Sequence, residues 1–387
     1  MESEDNPWPR RLVRLLIVLA LVGVAFLTHR RLMTVQLPEL QAGDEHLPVV
    51  VYHLASAGSR ASSHPLQSWA GAAAEHDVGF LVITDLNDQL AGPVEYHGVS
   101  VVSAAELATP FGRVVQLGAD GVLAEDNRSR LDVLGSIREL GGTPLISHLG
   151  DPKTPWEGPV EETGGIEIAS FTSSMRRTAG RIFLGGLSPL IAAQFRPRVA
   201  MAHLYDRDER ALARWDEESD PSVIGICGAD TSGLLPPELN LDSWRLVLDA
   251  PLDDETDAAD GYQLVERIRE GRFFCAAGVF SPRPYFRFGA LAEDSWVARQ
   301  GDEVPAAGVS QLVVFGPTGK PDTPTLVLLR NGEEIARVVG TELRYDRPRP
   351  GTYRVEARVP VPEPFWGVRM VTAIYSNRLR LTAKDLE

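Results

Sequence analysis

The sequence predicts an α/β protein in three parts: one transmembrane helix, a β/α barrel or doubly wound sheet, and a small antiparallel β-sandwich. Three observations predict this class. An uninterrupted apolar run lies near the N-terminus, short β-branched runs alternate with helical segments up to about residue 280, and the remaining residues show strands without long helices. With 387 residues and 44% hydrophobic content, the chain is long enough for two domains with ordinary cores.

The N-terminal segment "PRRLVRLLIVLALVGVAFLTHRR" has no charged or polar side chain between Leu15 and Leu27. Its length is at the short end of what spans a bilayer. A cleaved signal peptide is the alternative, but the nearby small-x-small pair falls inside the apolar run. We therefore predict a cytosolic tail and membrane anchor over residues 1–31, a single-pass membrane location, and an extracytoplasmic soluble part, with a polar linker over residues 32–46.

Residues 47–280 carry the α/β pattern. Predicted helices cover about 65–76, 128–140, 207–215 and 262–270. The strand-like runs between them are "PVVVYHL", "FLVITDL", "VSVVSAAEL", "RVVQLG", "TPLISHL", "GGIEIAS", "SVIGICGAD" and "RFFCA". Such runs, separated by helices, indicate a mostly parallel sheet that is buried on both faces.

Residues 281–387 show a different pattern. "QLVVFG", "TLVLLRNGEEIARVV", "GTYRVEARV" and "MVTAIYSNRLRLTA" are strands punctuated by turns, and the Asn-Gly pair in "RNGEE" is typical of a tight hairpin. This pattern predicts an antiparallel β-sandwich of roughly one hundred residues.

Charge and cysteine content limit the partners and the compartment. The net charge of −15 argues against a general nucleic-acid binder, which needs a concentration of Lys and Arg on one surface. Cys227 and Cys275 lie in apolar runs without CxxC spacing, so the expected state is two buried, inert thiols. A disulfide between them remains open if the domain lies outside the cytosol.

Five chemically capable residues stand at or just after the ends of predicted strands. In a parallel α/β sheet or barrel, these ends share one crevice, where loops present their side chains. Nitrogen and carboxylate donors from different strands suit Zn²⁺, Mn²⁺ or Fe²⁺. The five residues are His53, Asp85, Glu106, His148 and Asp230.

The order of these motifs resembles the PHP (polymerase and histidinol phosphatase) family. "YHLAS" is similar to its H-x-H motif, "TDL" to T-D-H, "AAELATPFGRVVQLG" to its bridging-Glu segment, "PLISHLGDPKTPW" to S-H-P-x-x-P, and "GICGADTSG" to G-x-D-x-H. The resemblance covers about residues 48–277. It implies a distorted β/α barrel that binds up to three metals and hydrolyses phosphoesters. The C-terminal "AIYSNRLRL" resembles a segment found in some members, with Arg378 in place of Pro.

The same resemblance implies that several ligands have been lost. Ala55, Leu86 and Ser232 stand where the family has His, and Arg60 stands at another expected ligand position. Alanine and leucine donate nothing to a cation, and serine is a poor ligand for zinc. At least one metal position is therefore expected to be empty.

The remaining donors leave room for one divalent transition metal or none. The resemblance assigns metal binding to His53, Glu106 and Asp230, with His148 nearby, and catalytic roles to Asp85 and His148. With one cation present, Asp85 would orient the attacking water or accept its proton. Loss of adjacent cations removes several kcal/mol of transition-state stabilisation, at order of magnitude.

Three functional hypotheses follow. The first is a degenerate PHP-like domain, tethered to a membrane by its N-terminal helix, that binds a phosphorylated small molecule or a protein partner instead of hydrolysing it. The second is an active one-metal phosphoesterase. The third is a structural or interaction protein that works through its β-sandwich, because fold analogy does not establish activity.

Overall fold

The computed structural model describes residues 8–43, 47–59, 62–90, 92–185, 195–230, 235–252, 257–363 and 367–383. Within them the chain is a mixed α/β protein with large sheets, which confirms the predicted class at that level. Arg60 and Ser232 lie outside the described residues.

The helices over the described residues are α1 (Trp8–Thr34), α2 (Leu66–Glu75), α3 (Glu125–Arg128), α4 (Val133–Glu139), α5 (Phe171–Gly185), α6 (Pro197–Leu204), α7 (Glu209–Glu217), α8 (Pro237–Leu241) and α9 (Asp257–Arg269), with a short 3₁₀ turn at Ala306–Gly308. The predicted helices correspond to α2, α4, α7 and α9. The sequence analysis did not predict α5 and α6.

The strands of the N-terminal two thirds are β1 (Glu39–Leu40), β2 (Val49–Leu54), β3 (Phe80–Leu86), β4 (Val94–Tyr96), β5 (Val99–Thr109), β6 (Gly112–Leu117), β7 (Thr143–Ser147), β8 (Gly165–Ser170), β9 (Ile224–Gly228), β10 (Trp244–Leu248) and β11 (Phe273–Ala277). The sequence analysis missed β10, in "WRLVL".

The remaining strands are β12 (Arg287–Ala292), β13 (Ser295–Arg299), β14 (Glu303–Pro305), β15 (Gln311–Phe315), β16 (Gly319–Lys320), β17 (Thr325–Arg330), β18 (Glu333–Val339), β19 (Glu342–Asp346), β20 (Gly351–Glu363), β21 (Gly367–Ser376) and β22 (Leu379–Thr382).

The parallel strands bring their carboxyl ends to one side of the molecule. β2, β3 and β5 are parallel neighbours, β6 runs antiparallel between β5 and β7, and β7, β8 and β9 are again parallel. Main-chain hydrogen bonds from Ala229 to Tyr52 and from Asp230 to His53 then join the end of β9 to β2. The sheet therefore curves back on itself, and its strand ends face a common space.

The C-terminal strands are continuous with this sheet. β10 and β11 extend it antiparallel beyond β2, and β11 pairs with β21. A separate four-stranded sheet has the order β13-β12-β15-β19. The prediction of a mostly parallel sheet is incomplete, because β6 and β10 run in the opposite direction and pair antiparallel with their neighbours.

Cys227 and Cys275 form a disulfide, with their Cα atoms 5.9 Å apart. The expectation of two inert thiols is wrong. Residues 48 positions apart in the chain lie on β9 and β11, close enough for a bond that the spacing of the cysteines could not reveal.

Among the helices that the structure describes, none combines the length and apolar character that crossing a bilayer requires. The predicted anchor over residues 1–31 is therefore unsupported.

Candidate metal centre

The centre of the site is one carboxylate oxygen held between two imidazole rings. Oε1 of Glu106 lies 3.3 Å from Nε2 of His53 and 3.2 Å from Nε2 of His148. The two ring centroids are 5.2 Å apart. One donor atom from each of the three residues lies within 4.8 Å of the others, which is the spacing of ligands around one ion.

These side chains converge because of local backbone geometry at the strand ends. His53 sits where the register between β2 and β3 shifts, and His148 follows β7 directly. Both residues, and Asp230 after β9, have positive φ angles, of 68°, 59° and 46°. This conformation is uncommon for non-glycine residues and concentrates at functional sites. It turns each side chain toward the shared space.

Asp230 lies at the edge of the cluster. Its Oδ2 is 3.5 Å from Nδ1 of His148 and accepts a hydrogen bond of 2.8 Å from the Ser170 hydroxyl. Its backbone carbonyl accepts from the hydroxyl of Thr172. The carboxylate of Asp230 is thus adjacent to His148 and held in place by Ser170.

Glu167 belongs to the cluster, although the sequence analysis did not assign it a role. Nδ1 of His53 donates to its Oε1 at 2.8 Å, and the backbone N–H of His148 donates to its Oε2 at 3.0 Å. The residue is 2% exposed. A signal was available: it is the acidic residue in the middle of the apolar run "GGIEIAS", and buried acids are rare unless they are paired.

Asp85 binds the loop that follows β2, and its catalytic role stays a prediction. Its Oδ1 accepts from the backbone N–H of Ser56 at 2.7 Å, and its Oδ2 accepts from the Ser56 hydroxyl at 2.6 Å. Both carboxylate oxygens therefore hold the loop after β2. Asp85 is 3% exposed and organises the turn beside His53.

Burial and charge together set the protonation of the histidines. Burial by itself lowers the pKa of His53, but attraction to Glu167 and hydrogen bonds to Glu106 and Glu167 outweigh it and raise this pKa well above 6.5. For His148, burial is likewise opposed by Asp230, Glu106 and Glu167, and the pKa rises to about 9.

The reciprocal effect acts on Glu106. Burial opposes its ionisation, yet hydrogen bonds from His148 and His53 lower its pKa well below the usual value. Without a metal, the site is thus a network of imidazolium and carboxylate groups.

The donor set fits a divalent transition metal. Two imidazoles and one carboxylate are typical ligands of Zn²⁺, Mn²⁺ and Fe²⁺. His53 and His148 are at most 7% exposed, so water competes weakly for the donors. Ala55 and Leu86, which stand where the family resemblance places two further histidines, offer no donor atoms.

Arg113 brings a positive charge to the edge of the same site. Its Nη1 lies 3.6 Å from Oε2 of Glu106, and this buried nitrogen makes no hydrogen bond within the described residues. A guanidinium with a free donor beside the cluster could receive an anionic group.

No family profile matches this sequence, and no curated protein matches it. Among solved structures, the chain is similar to a two-domain protein from Bacteroides vulgatus ATCC 8482, described as containing a predicted PHP-like metal-dependent phosphoesterase. The identity is 11%, the alignment covers 86% of this chain and 98% of the other, and the TM-score is 0.36.

Proposed function

We propose that this protein binds one divalent transition metal, Zn²⁺, Mn²⁺ or Fe²⁺, at His53, Glu106 and His148, and that the site is of the metal-dependent hydrolase type with a reduced number of cations. The observation that carries the proposal is the convergence of these three donors within 4.8 Å. Asp230 supplies a fourth donor at the edge of the site.

The substrate class that we propose is a phosphoester. Nη1 of Arg113 is paired with Glu106 at 3.6 Å but makes no hydrogen bond within the described residues, which supports an anionic ligand at this position. A bound divalent cation would supply Lewis acidity to a phosphoryl oxygen. Arg113 would orient the same group, and Asp230, held by Ser170, would accept a proton from the attacking water.

The hydrolytic rate should be low compared with sites that use adjacent cations. Ala55 and Leu86 provide no ligands for a second ion, so one cation must stabilise both the attacking and the departing oxygen. The lost stabilisation corresponds to several kcal/mol of the barrier, at order of magnitude.

Metal analysis of the full chain tests this proposal. We expect about one tightly bound transition metal per chain in the wild type and strong loss in Glu106→Gln, with no change in Glu342→Gln, a matched substitution in an exposed pair with Arg344. Hydrolysis of a nitrophenyl phosphodiester with added Mn²⁺ should follow metal content. A wild-type chain without metal after purification and after Zn²⁺ or Mn²⁺ addition would refute the proposal.

A specific observation favours an alternative, a metal-free binding domain. Two imidazolium rings and the carboxylates of Glu106, Glu167 and Asp230 already satisfy one another. In that case protons occupy the place of the metal, and the domain binds an anionic ligand or partner without hydrolysing it. Binding of inorganic phosphate, weakened by Arg113→Met, in a chain that takes up no metal would support this alternative.

We also propose that the folded domain matures in an oxidising compartment, outside the cytosol. The Cys227–Cys275 disulfide supports this location, because such bonds persist where thiols are not kept reduced. Thiol labelling of protein from its native cells should find no reactive cysteine before reduction and two afterwards. Two labelled cysteines without reduction would contradict the proposal. Membrane attachment through residues 1–31 stays a prediction.

A further inference from the structure

A chain of buried hydrogen bonds runs from His148 away from the cluster. Nδ1 of His148 lies 3.3 Å from the hydroxyl oxygen of Ser173. That hydroxyl donates to Oδ2 of Asp151 at 2.9 Å, and Nη1 of Arg176 donates to the same oxygen at 2.8 Å. Asp151 and Ser173 are each 1% exposed, so water does not replace these bonds.

The chemistry of the groups fixes the direction of each bond. A carboxylate only accepts, so Ser173 must give its single hydrogen to Asp151. The Ser173 oxygen is then an acceptor toward His148, and Nδ1 of His148 must carry the hydrogen. Nε2 faces Oε1 of Glu106 at 3.2 Å and, without a cation, donates a hydrogen to this carboxylate. When a cation displaces that hydrogen, Nδ1 keeps its own, and Nε2 is the nitrogen whose lone pair binds the cation.

Asp151 is held firmly as an ionised acceptor. The backbone N–H groups of Lys153 and Thr154 donate to its Oδ1 at 2.7 and 3.0 Å. Burial opposes its ionisation, but the hydrogen bonds from Arg176, these two N–H groups and Ser173 outweigh burial and lower its pKa to about 2.

We propose that Asp151 and Ser173 are positioning residues that fix which ring nitrogen of His148 carries the hydrogen, so that Nε2 faces the cation site. This inference rests on the proposed metal function and names the residues that orient one of the metal ligands, His148. Neither residue was predicted from the sequence.

The substitution Asp151→Asn tests the direction of the bonds without changing side-chain shape. The two backbone N–H groups keep the amide oxygen at the Oδ1 position, so the NH₂ group faces Ser173. Ser173 then accepts from Asn and donates to Nδ1 of His148, which moves the ring hydrogen to Nε2. The expected result is a fall in Zn²⁺ affinity of about 10- to 100-fold.

Ser173→Ala should cost less than Asp151→Asn. In that variant Nδ1 of His148 keeps its hydrogen and faces Oδ2 of Asp230, at 3.5 Å. The double variant should bind Zn²⁺ as well as Ser173→Ala alone, because without the hydroxyl the reversed bond cannot reach His148. Arg176→Met is the control. It removes the second donor to Oδ2 of Asp151 and leaves the hydrogen bonds from Asp151 through Ser173 to His148 intact.

Two readouts on the full chain separate the outcomes. The first is Zn²⁺ affinity by competition with a chelator. The second is nitrogen NMR of His148 in the Zn²⁺-saturated protein, where one ring nitrogen binds the cation and the other can carry the hydrogen. In the wild type we expect the hydrogen on Nδ1, hydrogen-bonded to Ser173, and in Asp151→Asn we expect this hydrogen bond to be lost.

A hydrogen on Nε2 in the Zn²⁺-saturated wild type would overturn the proposed positioning role of Asp151 and Ser173. Additive losses of Zn²⁺ affinity in the double variant would also overturn it. Absence of Zn²⁺ binding in the wild type would refute the proposed metal function. Zn²⁺ binding that Asp151→Asn leaves unchanged would overturn the positioning role alone. Because the NMR readout needs only the wild type, the test holds even if a variant fails to fold.

Discussion

At the scale of single residues, His53 and His148 bind protons more tightly in the folded protein than in the unfolded chain. Attraction to buried carboxylates overcomes the effect of burial on both rings. A metal ligand must be deprotonated, so any cation that enters this site displaces protons. Metal affinity should therefore rise with pH up to about 9, the pKa of His148.

Protonation also predicts how the stability of the metal-free protein depends on pH. The pKa of His148 rises from 6.5 to about 9 on folding. The folded state therefore binds more protons between these values, and its stabilisation is complete below pH 6.5 and lost as pH rises through about 9. Each pKa unit corresponds to about 1.4 kcal/mol, so the expected loss is a few kcal/mol.

Urea unfolding of the metal-free chain across this pH range measures the effect. The change of the free energy of unfolding with pH should be much smaller in His148→Gln and in wild-type protein saturated with Zn²⁺. A pH-independent free energy of unfolding in the metal-free wild type would show that the rings are neutral in the folded state.

At the scale of elements, β9 connects the site with the rest of the fold. Its Cys227 bonds to β11, its Gly225 N–H donates to the side chain of Asn377 at 2.8 Å, and Asp230 follows its end. The neighbouring Arg378 donates to four backbone carbonyls of the segment that leads into β9. Arg378, which stands where the family resemblance places a proline, thus helps to position β9.

Gly228 tests how tightly β9 packs against the cluster. A Cβ atom at this position would overlap Oε1 of Glu167 and lie 3.0 Å from Cβ of His53. Gly228→Ala should displace one of these side chains, cost about 1–3 kcal/mol of stability and weaken Zn²⁺ binding.

Gly71→Ala is the matched control for this substitution. Gly71 lies inside α2, and an added Cβ meets no atom within 4 Å. The change should stabilise the protein by up to about 1 kcal/mol, because alanine is the better helix former. If the two variants have equal stability and equal Zn²⁺ affinity, Glu167 is not packed against β9 as described.

At the scale of the whole molecule, the C-terminal strands support the β/α part directly. β21 pairs with β11. A buried charge network joins β20 to α7 and to Arg207, which precedes α7. Glu356 on β20 accepts from Arg354, Arg207 and Arg358 at 2.7, 2.9 and 2.7 Å. Arg354 also binds Asp216 of α7 through two bonds of 2.7 Å. Removal of residues 281–387 should therefore destabilise the remaining chain.

Glu356→Gln tests this network. Removing one partner leaves buried guanidinium groups without compensation, and the expected cost is about 3–5 kcal/mol. Burial opposes ionisation of Glu356, but Arg354, Arg207 and Arg358 outweigh it and lower its pKa to about 2. Its stabilisation is present above the unfolded-state value of 4.5 and is lost as pH falls toward 2.

Chemical unfolding at neutral pH compares this variant with Glu334→Gln, which removes an exposed pair with Arg337. The exposed substitution should change stability by less than about 1 kcal/mol. If both variants have the same free energy of unfolding, the buried network does not stabilise the contact between the C-terminal strands and the β/α part.

The sequence by itself determined the mixed α/β class, most strand positions in residues 47–280 and the types of donor at the strand ends. It also selected His53, Asp85, Glu106, His148 and Asp230, because strand-end residues of parallel strands meet at one side of a sheet. These features follow from local patterns of hydrophobicity and residue type, which each short segment carries on its own.

Only the tertiary structure decided the rest. It added Glu167 to the cluster, directed Asp85 to Ser56, paired Cys227 with Cys275, and joined β11 to β21 in one sheet. Each of these depends on which segments far apart in the chain become neighbours. Such pairing is fixed by the packing of the whole core, and no local pattern in "GGIEIAS", "TDL" or "RFFCA" records it.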